Sequence, residues 1–383
     1  MSFSFGFSGD DIEDDSGSEE QAGLVDEMVK HSISESTTSH SIKPKTHSLR
    51  ELLQHIPSQI SYNALTISPL PKMTQSTYLR SVNEGHSTQI QRRSLFDIRA
   101  QLMAEVNPEE DDISDSLLSG LENGDLTSGV YEGGFKTWEC ALDLASLCAG
   151  LDFGSGGANG WDVVELGAGS AIPSLTIVRN YLGSAAKGDL RMTLCDYNED
   201  VLRLATAPNL LVNYLQQVTA VASSSGAPPE DISEEGELDV EALGPEPIEN
   251  SESSLRQRGI TVNFLSGGWG DAFIDKFATL TSASSSSREA RNLLILASET
   301  IYSLTSTKIF AETLLQLIRR HRETYDRGDA KAWVAAKKVY FGVGGGVDDF
   351  VRQIESQHGE VRLLYETSDT GVGRVILEVS VPT

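Results

Sequence analysis

The stretch "VVELGAGSAIPS", Val163–Ser174, decides the fold. An apolar run reaches an acid, Glu165. Two glycines one residue apart follow, Gly167 and Gly169, then small residues and a proline. The order predicts a buried strand, a tight turn and a helix, "IPSLTIVRNYLG". Glycines there let the backbone reverse sharply and let a ligand come close. A lone G-x-G is weak evidence, and its place between strand and helix adds weight. The third glycine of the dinucleotide fingerprint is missing, with Ile172 in its place. That counts against a pyrophosphate ligand.

Working outward, "LRMTLCDYNED" reads as a second strand ending at Asp196. "DVLRLATAPNLLVNYLQQV" reads as a helix with a break near Pro208. "ITVNFLSGGWGD" is a third strand. "RNLLILASETIYS" is a fourth, apolar on both faces as a central parallel strand should be. "TSTKIFAETLLQLIRRH" is helical, and "KKVYFGVGGGVDDFVRQIESQ" reads as a fifth strand, a glycine turn and a helix. "VRLLYETSDTGVGRVILEVS" forms two strands around a turn. Strands alternating with helices predict an α/β fold: a Rossmann-like, mostly parallel sheet with helices on both faces. The final hairpin adds an antiparallel strand.

Upstream of the first strand, "GVYEGGFKTWECALDLASLCAG" predicts a loop and a helix. Thr137 is its candidate N-cap, and Leu142, Leu144, Ala145 and Leu147 are its buried face. Further back, Leu49, Leu52, Leu53 and Ile56 have helical spacing up to Pro57. Leu95, Ile98, Leu102 and Met103 share a helical face in "STQIQRRSLFDIRAQLMAE". Residues 48–135 therefore read as a mostly helical N-terminal extension packed on a catalytic domain at 136–383.

The chain has 383 residues and a formal charge of −26. Much of the acid sits in residues 1–47 and in an insert at about 217–255. Both are rich in Ser, Gly, Pro, Asp and Glu and poor in aromatics, a composition that predicts disorder. The acidity disfavours direct nucleic-acid binding, which needs Lys and Arg for phosphate contacts. It suits a basic protein partner, or serves only solubility. Three cysteines without a CxxC imply neither a disulfide framework nor a metal site. A reduced intracellular compartment fits. No stretch approaches the roughly 18 apolar residues of a membrane span, and the acidic N-terminus does not resemble a signal peptide.

Glu165 narrows the ligand. An acid just ahead of the first glycine is wrong for cradling phosphate and right for a cation. S-adenosylmethionine carries an ammonium and a sulfonium and no phosphate. Asp196, ending the second strand, is placed to accept the ribose hydroxyls. An acid at that position also suits a helix N-cap.

These features resemble the seven-strand S-adenosylmethionine-dependent methyltransferases. Within them the chain is most similar to the histidine protein methyltransferases that modify a large-subunit ribosomal protein. The resemblance rests on "SLRELLQHIPSQISY", "RRSLFDIRAQLM", "GGFKTWECALDL", "VVELGAGSAIPSL", "CDYNEDVL", "TAPNLLVN", "LASETIYS" and "YFGVGGGVDDF". It implies that Glu165, Gly167 and Gly169 hold the methionine part of the cofactor. By the same resemblance Asp196, Tyr197 and Asn198 hold the ribose, Trp269 flanks the adenine, and Trp138 and Ser298 line the pocket. Glu299 and Tyr302 of "SETIY" would face methyl transfer. Trp269 and Trp138 also suit a core, Glu299 also suits an exposed loop, and "GVGGGV" is either a close-approach site or a plain flexible turn.

The resemblance further implies a basic ribosomal protein as partner, methylation of the ring nitrogen farther from the backbone, and a cytoplasmic or nuclear location. A monomer is the default. A lysine methyltransferase uses the same cofactor pocket, but "SETIY" has Glu where lysine-directed relatives more often have Asp. A nucleotide-linked oxidoreductase is disfavoured by Glu165 and the missing third glycine. A non-catalytic binding module would not need the full set of cofactor residues.

Overall fold

The computed structural model describes residues 42–70, 76–79, 87–105, 133–153, 160–183, 188–222, 235–283, 290–325, 327–340, 345–367 and 372–382. The acidic stretch 1–41 lies outside them, as do 223–234 of the insert. The first elements are β1 (Lys45–His47), α1 (Leu49–Leu52), β2 (Gln59–Ile67), β3 (Thr88–Arg93) and α2 (Leu95–Glu105). Then come α3 (Glu139–Cys148), β4 (Gly160–Leu166), α4 (Ile172–Gly183) and β5 (Asp189–Asp196). Helix α5 joins Glu199–Val201, a π-turn at Leu202–Thr206 and Ala207–Ala222. After it lie β6 (Glu235–Asp239), α6 (Val240–Leu243), α7 (Pro245–Glu249), α8 (Ser251–Gln257) and β7 (Ile260–Ser266). The chain continues with α9 (Asp271–Ala283), β8 (Arg291–Ser298), α10 (Leu304–Thr324), β9 (Ala330–Lys337), α11 (Val347–Ser356), β10 (Glu360–Glu366) and β11 (Arg374–Ser380).

Eight strands form one sheet in the order β1-β7-β5-β4-β8-β9-β11-β10. The five from β7 to β9 are parallel. Strand β11 is antiparallel between β9 and β10. This is the expected doubly wound sheet with its C-terminal hairpin, plus one edge strand. Alternation explains its two cores. Val163 of β4 joins Leu144 of α3 and Leu175 of α4 on one face. Val164 and Leu166 join Phe273 of α9 and Phe310 of α10 on the other. Strand order reverses at β4, between β5 and β8, so the ligand crevice of such a sheet opens at the carboxyl ends of these strands.

The amino ends of the same strands are tied by charge. Buried Asp162 of β4 accepts from Arg191 Nε and Nη2 of β5, both at 2.6 Å, and from Arg291 Nε of β8 at 2.9 Å. Asp189 accepts from Arg291 Nη1 at 2.7 Å. The aspartates offset the two guanidiniums, so none of these buried charges lacks an opposite neighbour.

Several expectations are corrected. Among its described residues the extension holds sheet as well as the helices α1 and α2: β2 pairs antiparallel with β3 on one side and with β6 of the insert on the other. The insert is not disordered throughout, since β6 and three short helices occupy Glu235–Gln257. Its acids alternate onto the exposed face of β6, while Val240 and Leu255 are buried. Average composition hides such a pattern. Residues 45–47 are no tail but a strand on β7. The fifth strand is Ala330–Lys337, ending on the first lysine of "KKVYF". Met103 and Phe96 are 60% and 82% exposed, so α2 buries only Ile98 and Leu102 on the expected face. Trp138, not Thr137, is the N-cap residue of α3.

The π-turn explains the break near Pro208. Proline has no N–H, and its ring would clash with the carbonyl four residues back, that of Leu204. The helix widens there, and Arg93 Nη1 donates to the Leu204 carbonyl at 3.0 Å.

Candidate active site

The turn after β4 is left-handed at both glycines, with φ of +71° at Gly167 and +51° at Gly169. A Cβ at Gly169 would lie 2.9 Å from the Gly134 carbonyl oxygen. Both the φ and the space require glycine there. The Gly169 amide donates to Asp196 Oδ2 at 2.9 Å, so the acid ending β5 also holds the turn. Asn198 N donates to Asp196 Oδ1 at 3.3 Å. Tyr197 and Asn198 follow on the rim, half-buried.

Glu165 lies beneath the turn and is 1% exposed. Its Oε2 accepts from the Ser174 amide at 3.1 Å, in the first turn of α4. Its Oε1 is buried without a hydrogen bond. Burial pushes its pKa up to about 8, against the lowering effect of Ser174.

Residues to which no role was assigned from sequence clamp this turn. Thr206 Oγ1 donates to the Gly169 carbonyl at 2.6 Å, and Asn209 Nδ2 to the Ser170 carbonyl at 2.9 Å. The other end of the Asn209 amide accepts from Arg93 N at 2.7 Å. Asn213 accepts from Gln91 N at 2.9 Å and donates to Gln91 O at 2.7 Å, as a neighbouring strand would. The "TAPNLLVN" segment thus joins the glycine turn to β3 of the extension. Thr137 and Ser170 share a hydroxyl hydrogen bond of 2.7 Å.

A second cluster gathers at the carboxyl ends of β8 and β9. Ser298 ends β8. Glu299 follows with φ of +56°, and its amide donates to the Ala335 carbonyl at 3.0 Å. Its side chain is 11% exposed. Oε2 accepts from the Tyr340 hydroxyl at 2.5 Å, and Oε1 lies 3.5 Å from Lys337 Nζ. That ammonium is also 3.3 Å from Glu139 and 5.0 Å from the centre of the half-buried Trp138 ring. Burial alone would lower the pKa of Lys337, but Glu299 and Glu139 raise it. Tyr302 and Tyr340 have ring centres 6.5 Å apart.

Of "GVGGGV", residues 341–344 lie outside the described residues. At Gly345 a Cβ would fall 2.3 Å from the Tyr302 backbone. That glycine admits the protein's own "SETIY" segment. Trp269, beyond β7, rests half-buried against Phe310, with ring centres 4.9 Å apart. The structure therefore brings together Glu165, Gly167, Gly169 and Asp196 in one group and Trp138, Glu299 and Tyr302 in another. Lys337 and Tyr340 join the second group without having been singled out, although Tyr340 lies in a quoted motif.

No family model matches the chain. Over 98% of its length it is 30% identical to histidine protein methyltransferase 1 of Saccharomyces cerevisiae, 98% of which is covered. The chain belongs to the histidine protein methyltransferase family. The Schizosaccharomyces pombe member is 32% identical over 88% of this chain and 85% of its own. Among solved structures, a magnesium protoporphyrin IX methyltransferase from Synechocystis aligns at 11% identity and a TM-score of 0.30, over 75% of this chain and 94% of that one. Strand order, not that superposition, establishes the fold.

A histidine protein methyltransferase needs a cradle for S-adenosylmethionine, and the residues present fit one. The turn is bare where a side chain would fill it. A carboxylate stands at the end of each of the two strands beside β4's turn, Asp196 on one side and Glu299 on the other. No phosphate-type cluster of basic side chains competes at the turn among the described residues, and Glu165 keeps one carboxylate oxygen without a hydrogen bond. Among the described residues no helix is long and apolar enough to cross a membrane.

Proposed function

We propose that this chain methylates a histidine of a basic large-subunit ribosomal protein, on the ring nitrogen farther from the backbone. Protein histidine methylation with S-adenosylmethionine as donor follows from its family. The observation that carries the finer reading is Glu299. Its carboxylate is held in a left-handed turn at the carboxyl edge of the sheet, with one oxygen hydrogen-bonded and the other without a hydrogen bond.

In this reading Glu165, Gly167 and Gly169 bound the methionine end of the pocket, with Glu165 acting from beneath the turn. Asp196, Tyr197 and Asn198 take the ribose, Trp269 the adenine, and Trp138 and Ser298 the walls nearest the transferred group. Bound there, S-adenosylmethionine supplies the electrophilic methyl and its own leaving group. The protein supplies placement.

The attacking imidazole must be neutral, and with an unperturbed pKa near 6.5 it largely is at neutral pH. No strong base is required. Glu299 accepts the N–H of the other ring nitrogen, fixes the tautomer and supports the positive charge that develops on the ring. Tyr302, three residues on, has its ring centre 6.5 Å from that of Tyr340, whose hydroxyl holds Glu299. The acidic balance of the chain favours a basic partner. We place the enzyme in the cytosol or nucleus as a monomer acting on the free protein.

The test is methyl transfer from labelled cofactor to ribosomal protein extract, with the modified residue located by mass spectrometry. Methylhistidine in one large-subunit protein, lost in Asp196→Ala, is expected. Methyllysine would keep the cofactor site and replace the substrate.

A further inference from the structure

Outside the proposed site, one buried imidazole turns a ring nitrogen toward two carboxylates. His47 ends the edge strand β1, and its side chain is closed to solvent. Its Nε2 lies 2.8 Å from the Ser266 hydroxyl of β7. That hydroxyl donates to the Lys45 carbonyl at 3.5 Å, which leaves its oxygen to accept the Nε2–H. The tautomer so set makes Nδ1 a lone pair. Nδ1 is buried and makes no hydrogen bond. It stands 3.6 Å from Glu199 Oε1, at the start of α5, and 4.0 Å from Glu51 Oε1 of α1. A lone pair and two carboxylates that converge repel one another unless a cation lies between them.

The Lys45 ammonium supplies part of that charge, 2.9 Å from Glu199 Oε1 and 3.7 Å from Glu51 Oε1. It does not bond Nδ1. Its head is half exposed on a flexible stem and can swing into water at little cost. The three ligand atoms, Nδ1 and one oxygen of each carboxylate, lie within 4.8 Å of one another. A tetrahedral ion with bonds of about 2.1 Å holds its ligands about 3.4 Å apart. The two exposed glutamates need only small rotations to reach that spacing. A metal-bound imidazole donates its second ring N–H to an outer partner that fixes its orientation, and Ser266 is placed for that role. Imidazole with carboxylates suits Zn²⁺, whereas an all-oxygen set would suit Mg²⁺ or Ca²⁺.

We propose that His47 Nδ1, Glu51 and Glu199 form a site for a divalent transition-metal ion of the Zn²⁺ type, with water as the fourth ligand. The ion displaces the Lys45 ammonium and fastens the short edge strand β1 to the first residue of α5. It serves the fold and takes no part in methyl transfer.

The experiment uses the full chain, stripped of metal by a chelator, in buffer with excess Mg²⁺. Calorimetry reads Zn²⁺ binding, the visible spectrum of Co²⁺ reads geometry, and melting reads the effect on the fold. The parent should take up one equivalent of Zn²⁺ that Mg²⁺ does not displace, show the bands of four-coordinate Co²⁺ and melt several degrees higher with Zn²⁺. Glu199→Gln and Glu51→Gln change exposed side chains and should fold. Each should weaken Zn²⁺ at least about tenfold, since losing even an outer partner costs about ten- to a hundredfold. Lys45→Met should tighten Zn²⁺, because a competing positive charge leaves. His47→Gln should abolish the Co²⁺ bands, and the glutamate variants decide the question whether or not it folds. No Zn²⁺ binding by the parent overturns the proposal. So does binding that both glutamate variants leave unchanged, the mark of the chain's other acids and histidines. An affinity in Lys45→Met no tighter than the parent's would place the ion elsewhere and overturn it too.

Discussion

Glu165 shows how one buried side chain ties stability to pH. A carboxyl held at about 8 in the folded protein stays protonated where the unfolded chain, near 4.3, has already ionised. The folded state therefore binds the extra proton between those values, and stability falls as pH rises through that window. The melting temperature of the cofactor-free protein should drop between about pH 5 and 8.5. Glu165→Gln should flatten that drop and melt several degrees higher at pH 8.5. Superimposed melting curves would mean that the carboxyl is not the source. At Gly169 the expectation is steric. Gly169→Ala meets the Gly134 carbonyl at 2.9 Å from a left-handed φ, and should weaken cofactor binding at least tenfold by calorimetry. At this scale the sequence was legible where chemistry is local. An acid, two glycines and a second acid announce themselves by order along strands. Lys337 and Tyr340 do not, because their partner Glu299 lies some forty residues earlier and meets them only when β8 and β9 pair.

Helix α5 is where the extension acts on the site. Asn209 spans the Ser170 carbonyl and the Arg93 amide, and Pro208 beside it forces the widened turn that Arg93 caps. Asn209→Ala leaves a buried donor and a buried acceptor without partners, each costing about 1–3 kcal/mol. Chemical denaturation should show a loss of that order. Calorimetry should show weaker cofactor binding, since the glycine turn loses a clamp. Asn209→Asp keeps the acceptor for Arg93 and loses the donor to Ser170, so it should recover part of the stability and little of the affinity. Elements marked by a continuous apolar run, β4 and β8, or by helical periodicity, α10, were readable from sequence. Strand β6 was not. Its alternation is carried by glycine, one leucine and three acids, and its partner β2 lies some 175 residues upstream.

Across the whole molecule, the two ends of the parallel sheet have different work. The carboxyl ends carry the proposed site, and the amino ends carry the Asp162–Arg191–Arg291 cluster. Asp162→Ala leaves two buried guanidiniums short of a partner and should cost about 3–5 kcal/mol. It should leave the cofactor Kd of the protein that remains folded nearly unchanged. A loss of affinity equal to that of Gly169→Ala would mean the two ends are coupled. The same scale sets the order of assembly. Lys45 pairs with Ser266 and His47 with Phe264, while Lys45 Nζ reaches Glu199 at 2.9 Å, next to Asn198 in the chain. Closing a loop that long is entropically slow relative to pairing neighbours. On the ribosome β1 must wait, unpaired, until more than two hundred further residues have emerged. A three-residue edge strand waiting that long is the natural last piece of the fold. Its amides should be the first in the sheet to exchange with deuterium and the last to gain protection during refolding.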